Sequence, residues 1–546
     1  MNPDFRYPWL SFRNAYLLVM LVMLGSLPLS KYVASASQII LVALWLVEGR
    51  FPEKWKRFRE RPAIWVSILI VAVLLIGMLW TRDIAFGFHD LKLKLPLLLL
   101  PIVFGTIPQV THKELRFLLL GFVLAVFTGT LFSLSIMLGF GPADYTSDRE
   151  TSLFISHIRF ALMIDLAVFI LFYYIVNPGG KMGDRDVKTG ARDVKTGDRR
   201  SPLQGRSFAF RLLPFAVYLI VFLFLLKSLT GLVVLILGGM ILTLRWGLKQ
   251  SDLMVKWFVV VSVATLPLLV AVYLSDQVSK FATVRDNLEN LDRVTAGGTV
   301  YWHDMENRMT ENGYRVGLYQ CEPEMRDAWN KRSNLKYDGL DHKNQELKYT
   351  LIRYLTSLGL RKDAYGVSQL SEQDVSLIEK GFANSLYRQP KRLRVRIYET
   401  IWEVDQYRKG ANPSGHSVTQ RLEYLKTGWA IFLDHPWIGV GTGDTRDSFD
   451  QKYTELQSRL DPAWRLRAHN QFLSFLIAFG IIGFILIMTS LILPAILEKR
   501  FGSYFVLMFF ITAMLSFLNE DTLETQAGVA FFAVFYALFV FGTDEK

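Results

Sequence analysis

Apolar runs separated by short charged connectors fill the chain from residue 13 to about 274 and return from 469 to 543. They lie at about 13–30, 32–48, 63–80, 92–107, 115–139, 155–176, 211–227, 229–246, 256–274, 469–494, 502–518 and 526–543. Most have the roughly 17–25 residues that a helix needs to cross a hydrocarbon layer of about 30 Å. The pattern predicts an all-α polytopic membrane protein with about twelve transmembrane helices. Pro96 and Pro101 interrupt the fourth run. Further runs follow the first at once, without a small-residue cleavage pattern, which argues against a removed signal peptide.

Between 275 and 468 the pattern changes to mixed charge, with helical periodicity around 344–360, 371–388, 392–409 and 417–433. Aromatic and aliphatic residues are too regularly spaced there for disorder. The expected organisation is nine membrane helices over 1–274, a large helical loop over 275–468 and three membrane helices over 469–546. The loop at 177–210 is rich in Gly and charge and holds a near-duplicate, Asp186–Gly190 and Asp193–Gly197. Such a composition cannot bury a core, so a disordered basic linker is expected.

Lys and Arg set the orientation. Arg50, Lys54, Lys56, Arg57, Arg59 and Arg61 follow the second run; the 177–210 loop follows the sixth; Arg245, Lys249 and Lys256 follow the eighth, and Lys499 and Arg500 the tenth. Basic loops after even-numbered runs put both termini in the cytoplasm and the 275–468 loop outside it.

Composition narrows the class. The chain is 51% hydrophobic and 14% aromatic, with a mean hydropathy of +0.26, values at odds with a soluble domain of this size. The net charge of +12 lies mostly in short connecting loops, which removes a nucleic-acid reading. One cysteine, Cys321, excludes an internal disulfide.

Candidate chemistry concentrates near the start of the tenth run. His469, Leu473, Leu476, Gly480 and Gly483 would share one stripe of a helix starting there. That stripe is either an interfacial histidine over a glycine-lined packing seam or a titratable group at the rim of a pocket. Upstream, a helix through Arg421 and Trp429 would bury Leu422, Leu425, Trp429 and Phe432 and hold Arg421 on a stripe with Tyr424 and Gly428. Pro436 would end it, and Gly439, Gly441 and Gly443 would make a turn whose N–H groups face an anion or simply reverse the chain. A nucleotide is disfavoured there, because no strand precedes the glycines and no nucleotide supply exists outside the cytoplasm. In the sixth run, Arg159 lies just inside apolar sequence, where an unpaired guanidinium is costly. Asp165, deeper in that run, is expected to pair with another span, with a proton relay as the alternative. Lys227, in the turn 227–231, either snorkels to headgroups or reaches an anionic ligand. The carboxylate clusters at His303–Glu306, Asp338–His342 and Asp444–Asp447 lack metal-ligand spacing. Glu520, Asp521 and Glu524 read as solvated loop acids or as help for an acceptor.

His469-Asn470-x-x-Leu473 followed by Gly480-x-x-Gly483, the run Arg421…Trp429…Pro436-x-x-Gly439-x-Gly441, and Lys227–Gly231 together resemble the O-antigen ligase and polymerase family. The resemblance implies a GT-C-like glycosyltransferase architecture with a periplasmic cap, and an undecaprenyl-diphosphate-linked glycan as donor. It implies transfer to lipid A-core on the periplasmic face of the inner membrane, inverting and without metal, cofactor or nucleotide. His469 would orient or deprotonate the acceptor hydroxyl, Arg159 and Arg421 would bind the donor diphosphate, and Asn470, Lys227 and Trp429 would support them. Membrane lipids are the surrounding partner. A polymerase of the same superfamily is the nearest rival. A multi-spanning transporter is the rival from another class, disfavoured by the lack of an internal repeat.

Overall fold

The computed structural model describes residues 11–140, 154–177, 202–226, 228–389 and 393–543. The duplicated segments at 186–197, with most of the basic loop around them, and Lys227 lie outside the described residues. In chain order the first helices are α1 (Phe12–Ser26), α2 (Lys31–Val47), α3 (Phe51–Glu60), α4 (Pro62–Gly77), α5 (Ile84–Lys94) and α6 (Pro96–Thr106). Then come α7 (His112–Ser135), α8 (His157–Val176), α9 (Pro202–Leu225), α10 (Leu229–Leu248) and α11 (Leu253–Ala282). A two-residue hairpin, β1 (Thr310–Glu311) with β2 (Tyr314–Arg315), precedes α12 (Glu322–Arg332), α13 (Leu347–Ser357), α14 (Ala364–Ser368), α15 (Glu372–Glu379) and α16 (Leu393–Arg408). The chain continues through α17 (Ser417–Asp434), α18 (Thr445–Glu455), α19 (Gln471–Leu497), α20 (Tyr504–Asn519) and α21 (Gln526–Tyr536).

The structure corrects the expected count of membrane helices. Among the described residues, five helices are long and apolar enough to span: His112–Phe140, α8, α10, α11 and α19. The count reaches six if α2 and α3, bent by 112°, are one broken span. The other apolar helices are shorter, among them α1, α4, α20 and Gln526–Gly542. Apolar runs overstate helix length because caps and breaks lie inside them. Asp83 caps α5 and the helix ends at Lys94, so the fourth run straddles the joint with α6 at Leu95. The 16 residues of α4 reach only about 24 Å at about 1.5 Å per residue. The protein is mostly helical and, through its long apolar helices, a multi-pass membrane protein.

Two compact units emerge, Met1–Trp246 with Gln420–Lys546, and Gly247–Thr419. In the first, α21 and its π-helical continuation Ala537–Gly542 are buried on all sides from Val529 to Phe541. Outer helices instead expose apolar side chains such as Leu229 and Phe224, as a lipid-facing surface requires. The second unit has its own core around Met325, Trp329, Tyr337, Leu351, Tyr354 and Ile378, and helices stand where the periodicity predicts them. Cys321 is a buried free thiol there.

One joint fixes the first unit. Gly480 breaks α19 with φ 61° and ψ −168°, a conformation essentially restricted to glycine. The loop after α17 fills the break, backbone against backbone. Val440 and Gly441 donate to the carbonyls of Ile477 and Ala478, both at 2.9 Å. Ile481 and Ile482 donate to Pro436 and Trp437 at 2.8 and 3.2 Å. The glycine N–H groups that could have faced an anion are thus all engaged within the protein, Gly441 by the helix break, Gly439 by the His435 carbonyl at 3.1 Å and Gly443 by Thr81 Oγ1 at 3.2 Å. Thr442 Oγ1 donates to the Leu74 carbonyl at 2.7 Å, and the Asp444 carboxylate accepts from the backbone of Arg82 and Asp83, so the loop also clamps the end of α4.

A Cβ on Gly480 would lie 2.2 Å from the Trp437 carbonyl carbon, and one on Gly439 2.3 Å from that of Ala478. Neither backbone can yield. Gly480→Ala and Gly439→Ala should each destabilise the folded protein by about 3 kcal/mol or more, whereas Gly239→Ala, with open space around it, should not. Thermal unfolding in detergent checks this, and equal melting temperatures for all three would refute the joint.

Candidate functional site

The site forms where four separated stretches meet in the first unit: the end of α5, the first turns of α17, the link into α19 and the turn after α20. Asn470 is the N-cap of α19, its Oδ1 accepting from the Leu473 N–H at 2.9 Å while its Nδ2 donates to the Leu518 carbonyl at 2.9 Å. The cap starts the helix at Gln471 and leaves His469 outside it, with φ +47°. The single stripe expected from His469 to Gly483 therefore does not exist. A cap residue requires non-helical backbone, and Gly480 breaks the helix nine residues after its start at Gln471. Left-handed backbone at a non-glycine residue stores about 1–3 kcal/mol and holds only where its surroundings over-determine it.

His469 Nδ1 faces two carboxylates, Glu520 Oε2 at 3.8 Å and Asp521 Oδ1 at 3.9 Å, and has no hydrogen-bond partner among the described residues. The Tyr424 ring lies 5.5 Å from the imidazole and its hydroxyl is tied to the Trp464 carbonyl, which fixes the ring as a wall. Arg421 donates to Asn519 Oδ1 at 2.8 Å and pairs with Glu520 at 3.4 Å. Arg421 and His469 thus share one carboxylate, as two of the predicted residues brought together.

The turn after α20 is acidic but not solvated. Glu520 and Asp521 are buried, which corrects the loop-acid reading. Arg467 reaches Asp521 at 3.6 Å and Glu524 at 3.5 Å. Glu524 also accepts from Lys94 at 2.9 Å and from Gln471 at 3.0 Å, and Gln471 Oε1 accepts from the Leu523 N–H at 2.7 Å. Lys94, itself buried, is paired in addition with Asp90. Burial pushes the Asp521 carboxyl up against the pull of Arg467 and His469. Burial pushes Glu524 up too, but Lys94 and Arg467 outweigh it and the net shift is downward. Glu524 therefore serves as a fixed anion, while Asp521 is the carboxylate more ready to take a proton.

Sequence reasoning passed over Lys94, Asp90, Arg467 and Gln471. One signal was available: Asp90 and Lys94 are four apart, beside apolar sequence, where an ionisable pair is costly and seldom idle. Arg467 and Gln471 carry no such mark.

The remaining predicted residues are less central. Arg159 Nη1 donates to Ser156 Oγ at 3.0 Å, and its Nε is buried without a hydrogen-bond partner among the described residues. α8 and α20 run antiparallel, with Tyr504 donating to the Phe169 carbonyl and Phe505 against Tyr173, which sets Arg159 level with Asn519. Gly231 packs on Ala161, and Asn519 donates to Thr230 at 2.6 Å. Arg159 is thus at the same end of the unit, yet no hydrogen bond or ion pair among the described residues joins it to Arg421 or His469. Trp429 is exposed, with its ring against Phe432, and does not reach the site. Leu422 and Leu425 are exposed as well, while Gln420, Glu423, Tyr424, Thr427 and Ile431 are buried. The buried face of α17 is mixed: Phe432 lies there as expected, with Tyr424 and Ile431, but so do Gln420, Glu423 and Thr427, whereas Leu422, Leu425 and Trp429 stand outside it. Asp165 is fully buried and neither oxygen has a hydrogen-bond partner among the described residues, so the expected pairing is not seen.

His469 Nδ1 and oxygens of Glu520 and Asp521 lie within 4.8 Å of one another, a set that could hold a metal ion. Tetrahedral bonds of about 2.0 Å put donors about 3.3 Å apart, so the side chains would have to draw in to bind one.

Residues 381–488 match the family model described as O-antigen ligase, Wzy_C. The match takes in α17, the loop at 435–444, His469, Asn470 and the break in α19; it does not reach Arg159, Lys94 or the acidic turn. A comparison with curated proteins returns no match. Residues 381–488 thus carry an O-antigen ligase domain, and by that match the protein is an enzyme of the ligase, glycosyltransferase type.

Proposed function

We propose that the protein moves a glycan from undecaprenyl diphosphate onto lipid A-core at the periplasmic face of the inner membrane, inverting the anomeric centre, with both chain termini cytoplasmic. The observation that carries this reading is the direction of His469, whose Nδ1 faces Glu520 and Asp521. That direction favours the tautomer with its proton on Nδ1 and leaves the Nε2 lone pair for the acceptor hydroxyl. The hydroxyl oxygen attacks the anomeric carbon, its proton passes to Nε2, and the carboxylates stabilise the imidazolium that forms. The bond to the diphosphate oxygen breaks on the opposite face. Charge grows on the departing diphosphate, and guanidiniums match it because they bind phosphate in a fork and stay charged. Arg421 is assigned that task, and the unpartnered Nε–H of Arg159 supports a second contact. Asn470 holds the end of α19, and with it the imidazole, in place.

A metal is the second reading, because the same imidazole and carboxylates offer donors within 4.8 Å.

His469→Ala should reduce transfer by roughly 10²–10⁴-fold with membrane insertion unchanged, measured with purified carrier-linked glycan and lipid A-core. Unaltered turnover would remove His469 from the chemistry. In the same assay a second carrier-linked unit, offered in parallel, should be the poorer acceptor; preference for it would make the enzyme a polymerase. Arg421→Lys should lose about tenfold or more, since an ammonium cannot hold Asn519 and Glu520 and still fork to phosphate. Transfer should survive excess chelator, and its loss, restored by one divalent cation, would favour the metal reading.

A further inference from the structure

The second unit holds a cavity of about 540 Å³, within the roughly 300–1,000 Å³ usual for small-ligand sites. One wall is α16, which contributes Arg396, Tyr398, Glu399, Trp402 and Glu403. Facing it are Asn384 and Tyr387. The floor is rigid. Glu311, buried, accepts from Arg353 at 2.8 Å, Asn384 at 2.8 Å and the Tyr398 hydroxyl at 2.6 Å, so its charge is compensated and those three side chains are fixed. The Trp402 indole stands edge-on to His416, ring centres 5.9 Å apart. Glu403 points one oxygen towards His416 Nδ1 at 3.7 Å, and its other oxygen, Oε2, is buried without a hydrogen-bond partner among the described residues.

A buried carboxylate oxygen left without a donor keeps the cost of its lost hydration. A ligand bearing hydroxyl donors removes that cost. The walls also restrict the ligand in two other ways. An anion would find the lining cations already engaged, Arg353 by Glu311, Arg396 by Glu399 and Lys343 by the Gly381 carbonyl, and an apolar chain would leave Oε2 as unsatisfied as before. Half-buried aromatic rings beside carboxylate, guanidinium and amide groups suit a ring that is apolar on its C–H face and hydroxylated at its edge. We propose that this cavity is a saccharide site, separate from the transfer site, that holds part of the glycan chain. The identification of the saccharide as the glycan being transferred rests on the function proposed above; the binding of a saccharide does not.

The test uses the full-length protein in detergent, with the polysaccharide released by mild acid from the source cell's own lipopolysaccharide as probe, followed by saturation-transfer NMR and titration. The wild type should bind it. Trp402→Ala should weaken binding about tenfold, and the near-isosteric Glu403→Gln should weaken it measurably with an unaltered melting temperature. If Trp402→Ala fails to fold, Glu403→Gln decides. His469→Ala should bind the free polysaccharide as the wild type does, and both cavity variants should transfer a single-repeat donor at the wild-type kcat while losing efficiency with long chains. Absence of wild-type binding, or undiminished binding in the cavity variants, overturns the proposal. Binding that depends on Trp402 and Glu403, in a protein that transfers nothing to lipid A-core, would instead retain the saccharide site and remove the proposed reaction.

Discussion

Three carboxylates at the end of a membrane helix are the constraint to which the rest of the first unit answers. Glu520, Asp521 and Glu524 are held away from water, where an ionised carboxylate survives only if it is paired and hydrogen-bonded. Their partners arrive from α5, α17 and the link into α19: Lys94, Arg421, Arg467, His469 and Gln471. Elements hundreds of residues apart in sequence are therefore tied at one point by charge. Hydrophobic packing alone could not specify that point, because lipid tails are as apolar as the helices they surround. The same compensation shapes the chemistry. Glu524 is saturated and serves as a post, while Glu520 and Asp521 stand beside an imidazole with no closer partner.

The backbone joint at Gly480 complements this polar tie. Helix α19 must end its first ordered stretch where the 436–444 loop enters, so its first three turns belong with α17 and its remainder with α4. The loop takes the carbonyls of Ile477 and Ala478 beside the break, as buried backbone groups require. Charge fixes the mouth of the unit and backbone pairing fixes the level beneath it. His469 lies between these two restraints, which accounts for a left-handed conformation that a mobile segment would relax.

Much of this was legible in the sequence, and the failures have physical causes. Helical class, membrane character and the helices of the second unit follow from periodicity, which reports burial directly. His469, Arg421 and Asn470, which the structure brings together, stand out in the sequence because residue type and position at the edge of an apolar run narrow the choice. The number of spanning helices was overestimated because apolar runs continue through caps, prolines and bends that end a helix. Of the face expected to be buried on α17, only Phe432 is, because the polar Gln420, Glu423 and Thr427 share the buried side with Tyr424 and Ile431, a mixture that apolar periodicity does not report. The acids at 520–524 read as solvated because a loop in sequence carries no sign of what covers it.

The joint at Gly480 also sets what kind of change this enzyme can absorb. Four backbone hydrogen bonds link 436–441 to 477–482 in a fixed register, so side chains along the loop can vary where they face outward, as Trp437 and Ile438 do. Its length cannot. Adding or deleting one residue would shift every pairing by a step and withdraw the glycines from the places where their missing side chains are needed, so divergence across related sequences should be confined there to composition, never to insertion.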